Sequence, residues 1–368
     1  MQEQRKRILN MVKEGKLTID EALTLLEELE KNNPDMKEKV VEHQSEVSTV
    51  VNFEETKQEN TSSNHKSQST KDKIFEFVDM AIKKIKDFDL DFNFGKSIDI
   101  SHIFQQGDVY LKEIDIDVAN GSVNLVPWDQ KDVRVECEAK VYRVDTQEEA
   151  RNTFLQDVIF AIEGQKLRFV TQQKWMKVNA TFYVPQAAYD DIKIRMFNGS
   201  IDSKNLDVTK YKVKTANGKI NISDVKSKNV EAETANGHIE ASRCHVEDFD
   251  AETINGAIKI DGSFKVVDVQ SFNGNIDCTL TNTDCGFVEA KATTGSIKLY
   301  VPANASLSGE IKSNLGGFHL DVDGIQIVEE KKDVVQKLIR FRPIVENGSS
   351  TRILADAKTG SVSITQVK

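Results

Sequence analysis

The chain has 368 residues and a formal net charge of −10, with 49 Lys and Arg against 59 Asp and Glu. That acidic balance argues against a nucleic-acid binder, which needs a surplus of Lys and Arg gathered on one face to neutralise phosphate. With 39% hydrophobic residues, 18 Phe and only five Pro, the composition excludes a disordered chain and leaves room for roughly two or three domains.

Residues 1–32 are predicted to form a helical hairpin. Ile8, Leu9 and Val12 share one face of a first helix that Gly15 can end, and Thr18 with Glu21 makes a capping box for the second. In that second helix Ile19, Ala22, Leu23, Leu26 and Leu29 form an apolar stripe. Helices this short are marginal alone, so the stripe needs a partner, and Ile19, Leu23, Leu26 and Leu29 are candidate docking residues for a second copy, the β body or another protein. Residues 33–70 read as a flexible polar linker whose one aromatic residue is Phe53, and His43 and His65 within it read as solvated.

Residues 71–368 read as a β-repeat domain led by an amphipathic helix over 71–86, where Ile74, Phe75, Val78, Ala81, Ile82 and Ile85 form one stripe. Packing on the β body is the favoured role. Asp72, Glu76 and Asp79 weaken the alternative of a membrane-surface helix. The period then drops from 3.6 to 2, since FDLDFNFG sets Phe88, Leu90, Phe92 and Phe94 opposite Asp87, Asp89, Asp91 and Asn93. A strand is expected there. Over 108–190, EIDIDVANGSVNLVPWD and VRVECEAKVYRV predict strands, DTQEEARNTFLQ a short helix, and KLRFVTQQ and VNATFYVP two more strands.

Regular repeats occupy 191–302, with the phrases IRMFNGSID, VKTANGKIN, AETANGHIE, AETINGAIK, VQSFNGNID and AKATTGSIK. Their glycines lie 19, 19, 19, 18 and 21 residues apart, which is the signature of a repeat architecture. In each copy apolar residues alternate on both sides of the Gly, as in Val213, Thr215, Ile220 and Ile222, so each copy reads as strand, tight turn, strand. Asn-Gly supplies two residues tolerant of positive φ. One two-stranded unit cannot bury its apolar face, whereas stacked units sharing Val230, Ala232, Ile239, Phe249, Ala251 and Ile258 can. The fold class is therefore mainly β: a β-solenoid-like stack of repeats about 19 residues long, with a small helical hairpin in front and stacked hairpins as the alternative topology. The repeat residues are Asn120 and Gly121 in a divergent early copy, then Asn198, Gly199, Asn217, Gly218, Asn236, Gly237, Asn255, Gly256, Asn273, Gly274 and Gly295, with Gly360 in a last copy.

No catalytic, metal-binding or cofactor-binding residue stands out. Cys137, Cys244, Cys278 and Cys285 lack ligand spacing and read as small buried hydrophobes. His238, Cys244 and His245 lack a fourth ligand at metal spacing. The outward positions Lys212, Lys214, Glu231, Glu233, Asp250, Glu252, Asp268, Glu289 and Lys291 are of mixed sign, which favours cross-strand pairing over a convergent acid site. Glu231, Glu233, Glu240, Asp250 and Glu252 are the best glycosidase or cation candidates, so a carbohydrate-active β-solenoid enzyme is kept as the third reading. No run is long enough to span a bilayer and the N-terminus lacks a signal-peptide core. A soluble, cytoplasmic protein with peripheral membrane contact at most is expected, with the cell surface as the alternative.

RKRILNMVKEGKLTIDEALTLLEELE resembles a SHOCT-like helical domain, and the NG-x-I array with its YVP lead-ins resembles the bacterial adhesin-type β-repeat domain that follows it in the YvlB/LiaX-like family. The resemblance covers nearly the whole chain outside the linker. It implies a part in the cell-envelope stress response of Gram-positive bacteria, a PspC-like membrane protein as partner, and no enzymatic activity or cofactor. The expected function is a non-enzymatic interaction scaffold that binds a membrane partner or an envelope-derived ligand through the β stack and the helical hairpin and is able to self-associate. A surface adhesin or antimicrobial-peptide sensor is the runner-up.

Overall fold

The structure is a computed structural model that describes residues 96–333, 336–345 and 350–367. The predicted hairpin, linker, 71–86 helix and 87–94 strand lie outside the described residues, as do Ile19, Leu23, Leu26 and Leu29. At one end of the β body are β1 (Ser97–Gln106), β2 (Glu113–Trp128), β3 (Val133–Tyr142), α1 (Gln147–Asp157), β4 (Ile159–Glu163), β5 (Lys166–Thr171) and β6 (Met176–Pro185). The regular coils comprise β7 (Ala188–Lys204), β8 (Asp207–Asn217), β9 (Ile220–Ser223), β10 (Lys226–Asn236), β11 (Ile239–Asn255), β12 (Ile258–Asn273), β13 (Ile276–Leu280), β14 (Phe287–Thr294) and β15 (Ile297–Pro302). The far end holds β16 (Ser306–Ser313), β17 (Phe318–Asp321), β18 (Ile325–Lys332), β19 (Lys337–Pro343), β20 (Ser350–Ala357) and β21 (Val362–Val367).

Each coil crosses two parallel sheets joined at the Asn-Gly corner. In the first sheet the run before the corner pairs with the same run one coil on, as Val213 with Ala232 and Ala232 with Ala251. In the second the run after the corner does likewise, as Ile220 with Ile239 and Ile239 with Ile258. Successive copies are thus turns of a solenoid and not hairpins, because a copy-to-copy shift of 19 residues pairs like with like in the same direction. A short third side, carrying Lys226 beside His245 and Ser227 beside Val246, closes each turn.

The Ile after each Gly explains the second sheet. Val123, Ile201, Ile220, Ile239, Ile258, Ile276, Ile297 and Val362 form one column, each fully buried. Burying such a side chain contributes about 1.5–3 kcal/mol. Across from it the first sheet supplies smaller residues, Ala232, Ala251, Val269 and Ala290, so the two columns fit within one narrow core.

Chain order and spatial order part company at both ends. β5 and β6 stack outside β2 although they follow it in sequence, and the chain then returns to the inner side of β2 as β7. β3 and β1 extend the second sheet antiparallel beyond β6, and α1 packs Ala150 and Phe154 against this end. Thr146 caps α1 by accepting from the Glu149 N–H. At the other end β20 lies between β14 and β16, and β21 between β15 and β17. The copy that is last in sequence, around Gly360, is therefore inserted one position inside the stack.

Candidate functional site

The Asn-Gly corner does something other than the tight turn expected of it. No Asn of the corner has a positive φ, and among the corner glycines only Gly121, Gly199 and Gly295 do. Gly is needed because successive coils touch there: a Cβ on Gly237 would sit 1.8 Å from the Gly218 carbonyl oxygen, and one on Gly256 1.7 Å from that of Gly237. The column runs from Gly121 through Gly199, Gly218, Gly237, Gly256, Gly274, Gly295 and Gly360 to Gly316, which sequence reading missed. Asn is needed for a ladder along the stack. Asn198 Nδ2 donates to Asn120 Oδ1, and Asn217, Asn236, Asn255 and Asn273 repeat the bond, each at 2.8 Å. Asn120 ends the ladder on the Lys174 carbonyl at 3.2 Å, and the Thr294 hydroxyl donates to Asn273 at the other end. Inside the corner Thr215, Thr234, Thr253 and Ser271 are buried and donate to the glycine carbonyls of the preceding coil. The signal for that second ladder is the Thr or Ser two residues before Asn217, Asn236, Asn255 and Asn273; Asn120 and Asn198 follow Val118 and Met196 instead.

The outward side of the first sheet carries segregated charge. Lys193 and Arg195 lie beside Lys212 and Lys214, making a basic block two coils deep. Glu231 and Glu233 follow, then Asp250 and Glu252, then Asp268 and Gln270. The mixed signs noted in the sequence thus fall in blocks, with like charges stacked within each and the expected cross-strand pairs formed where Lys212 and Lys214 meet Glu231 and Glu233. Glu240 is not with the other carboxylates: it lies beyond the Asn236-Gly237 corner on the second sheet, beside Lys259. An open trough of about 650 Å³ runs over both blocks, lined by Lys193, Lys212, Glu231, Glu233, Asp250 and Glu252 among others.

Where the blocks meet, Lys212 Nζ lies 2.6 Å from one Glu231 oxygen and Lys214 Nζ 2.9 Å from the same carboxylate, while Lys214 also pairs with Glu233. Burial pushes the Glu233 carboxyl up, its hydrogen bond with Glu231 adds to this, and Lys214 opposes it, leaving it at about 7. Burial works against ionisation of Glu231 too, but its bonds to Glu233, Lys212 and Lys214 outweigh that and hold it well below the usual carboxylate range. The pair therefore holds one proton at mildly acidic pH and gives it up as pH rises through neutrality. Such an arrangement offers a charged, partly dehydrated surface rather than an acid and base flanking an open gap.

The four cysteines are buried and free. Burial pushes the thiols of Cys137 to about 12 and of Cys244 and Cys285 to about 11, and that of Cys278 upward too. His238 Nδ1 accepts the Ala257 N–H at 2.8 Å, so it is tied to the next coil. Among the described residues no group of His, Cys, Asp and Glu has the geometry of a metal site, and no helix is long and apolar enough to cross a membrane.

Residues 111–340 match the family model described as Toastrack DUF4097, and residues 3–34 match that of a SHOCT-like domain. The chain is 44% identical over 364 residues to YvlB of Bacillus subtilis strain 168, covering 99% of each protein. Among solved structures it is similar to a "putative adhesin" from Parabacteroides distasonis, at 11% identity and TM-score 0.42 over 72% of this chain and 97% of that one. A protein of the same description from Bacteroides fragilis matches at 12% identity and TM-score 0.33, over 73% and 97%. The stacked coils, the glycine column at their corner and the match over most of the chain together make this protein a member of the Toastrack DUF4097 family, joined to a SHOCT-like domain.

Proposed function

We propose that the protein is a non-catalytic interaction scaffold of the bacterial cell envelope, acting in the envelope stress response on a PspC-like membrane partner. The observation that carries this reading is the first sheet's outward face, where a basic block and an acidic block lie side by side on a rigid stack. Charge complementarity of that kind sets orientation and association rate for a charged partner more than it sets raw affinity. The carboxylates and lysines at the junction satisfy one another, which suits recognition better than bond cleavage. The SHOCT-like segment supplies a second docking element through Ile19, Leu23, Leu26 and Leu29.

The experiment is capture of membrane partners by the full chain from cells with and without an envelope-damaging antibiotic. Lys193→Glu and Asp250→Lys, one from each block, are each expected to reduce capture and weaken its salt dependence. Leu23→Asp with Leu26→Asp is expected to abolish either capture or self-association. Undiminished capture by all of these variants overturns the reading, and digestion of the protein on intact cells replaces the cytoplasmic scaffold with a surface adhesin or sensor.

A further inference from the structure

We infer that the free edge of β1 is a docking strip for residues 87–94 of the same chain, which add to it as one more antiparallel strand. β1 pairs with β3 without a break from Ser97–Tyr142 to Gln106–Val133, and among the described residues no strand pairs with its other edge. Ten residues of flat, open edge invite another strand. The other sheet ends are protected as edges usually are: β4 has five residues, β17 has four, and β18 carries a bulge between Ile327 and Glu329 followed by Glu330, Lys331 and Lys332. β1 has no bulge, no Pro, no Lys and no Arg. Among the described residues one side-chain bond reaches its backbone, from Gln147 Nε2 to the Asp99 carbonyl at 2.9 Å, and no described strand takes up the rest of that edge.

The core at this edge is unfinished. Ile100 is buried, but Ile98, His102 and Phe104 on the same face are only partly covered. Phe104 packs on Phe160 at 5.2 Å between ring centroids and on Phe154 at 6.1 Å, with nothing described beyond it on the edge side. The alternate residues Ser97, Asp99, Ser101 and Ile103 are exposed or nearly so.

The occupant follows from where the described chain begins. Immediately before Lys96 stand Gly95 and the alternating run of Phe88, Leu90, Phe92 and Phe94 with Asp87, Asp89, Asp91 and Asn93. Directly opposed residues of an antiparallel pair share a face, so parity decides the register. Reversal through Gly95, Lys96 and Ser97 sets Phe94, Phe92, Leu90 and Phe88 opposite Ile98, Ile100, His102 and Phe104, completing the apolar side. Asp87, Asp89 and Asp91 then fall with Gln105, Ile103 and Ser101 on the wet side. A slip of one residue would invert every side chain, so only registers of this parity are compatible with both segments.

The test uses the full chain carrying Asp91→Cys with Ser101→Cys, both on the wet face. The native thiols are buried and pushed above their ordinary range, so mild oxidation reads the introduced pair. Cα atoms of opposed strand residues lie about 4.5–5.5 Å apart, within disulfide reach. The expected result is an intramolecular disulfide forming about tenfold faster than in Leu90→Cys with Ser101→Cys, whose parity is wrong. The same advantage for Asp89→Cys with Ser101→Cys moves the register by two residues and also supports the docking. Equal rates for right and wrong parity, no disulfide in any pair, or a disulfide between two chains would overturn it, the last by assigning the edge to a second copy.

Discussion

At Gly237 a single methyl group would have nowhere to go, since its carbon would sit 1.8 Å from a backbone oxygen of the coil below. Backbone cannot yield as a side chain can, so Gly237→Ala is expected to cost about 3 kcal/mol or more, read as a fall in the urea midpoint. Asn236→Ala acts more gently. It breaks the bonds to Asn217 and Asn255 on an exposed corner, for a loss of about 1 kcal/mol in the same assay. Glu233 acts through pH. Its carboxyl titrates near 7 in the folded chain against 4.5 for the ordinary group, so folding favours the protonated form. That contribution is complete below pH 4.5 and is lost as pH rises through 7. Glu233→Gln keeps a neutral side chain at every pH. Its melting temperature relative to the native chain should therefore rise between pH 5 and pH 8, by an amount equivalent to about 2 kcal/mol. A flat difference would show that Glu233 is ionised throughout.

Among elements, the strands of 113–302 were legible because alternation of inward and outward residues is a local property, and so was the short helix α1, although its Thr146 cap was not picked out. The 19-residue period carried the parallel stacking. What the alternation did not carry was the reason for Asn-Gly: side-chain ladders and backbone contact between coils act across a full turn, and within one copy they look the same as a hairpin signal. The cross-strand pairing of charge was legible, as Lys212 with Glu231 and Lys214 with Glu233, but Glu240 was grouped with the wrong carboxylates for a related reason. Which rows become neighbours is set by register, and only the register shows Glu240 on a different sheet from Glu231. The narrow spacing of the two sheets yields its own prediction. Ala251 is fully buried between Ala232 and Val269, so Ala251→Leu should destabilise by about 1–3 kcal/mol through overpacking, although it adds apolar volume. A thermal melt that rises would mean that the coils can move apart.

For the molecule as a whole, coils contact only their neighbours, so stability is close to a sum of local terms. The far end departs from this, because residues 350–367 pair on both sides at once, with β14 and β15 inward and β16 and β17 outward. Deleting 350–368 is expected to remove hydrogen-exchange protection from 306–343 while the coils of 191–280 keep theirs. Retained protection over 306–343 would mean that β16 and β17 can stack directly on β14 and β15. The same insertion bears on how the protein is made. A ribosome delivers the chain in one direction, and the coils from β7 to β15 can stack in the order in which they emerge. β16 and β17 then appear before the coil that belongs beneath them; β16 can pair with β19, but its other edge and that of β17 stay open or settle on the wrong neighbour until residues 350–367 arrive. Completion of this solenoid therefore waits on residues 350–367, and a message interrupted before them would leave a stack with its far end open.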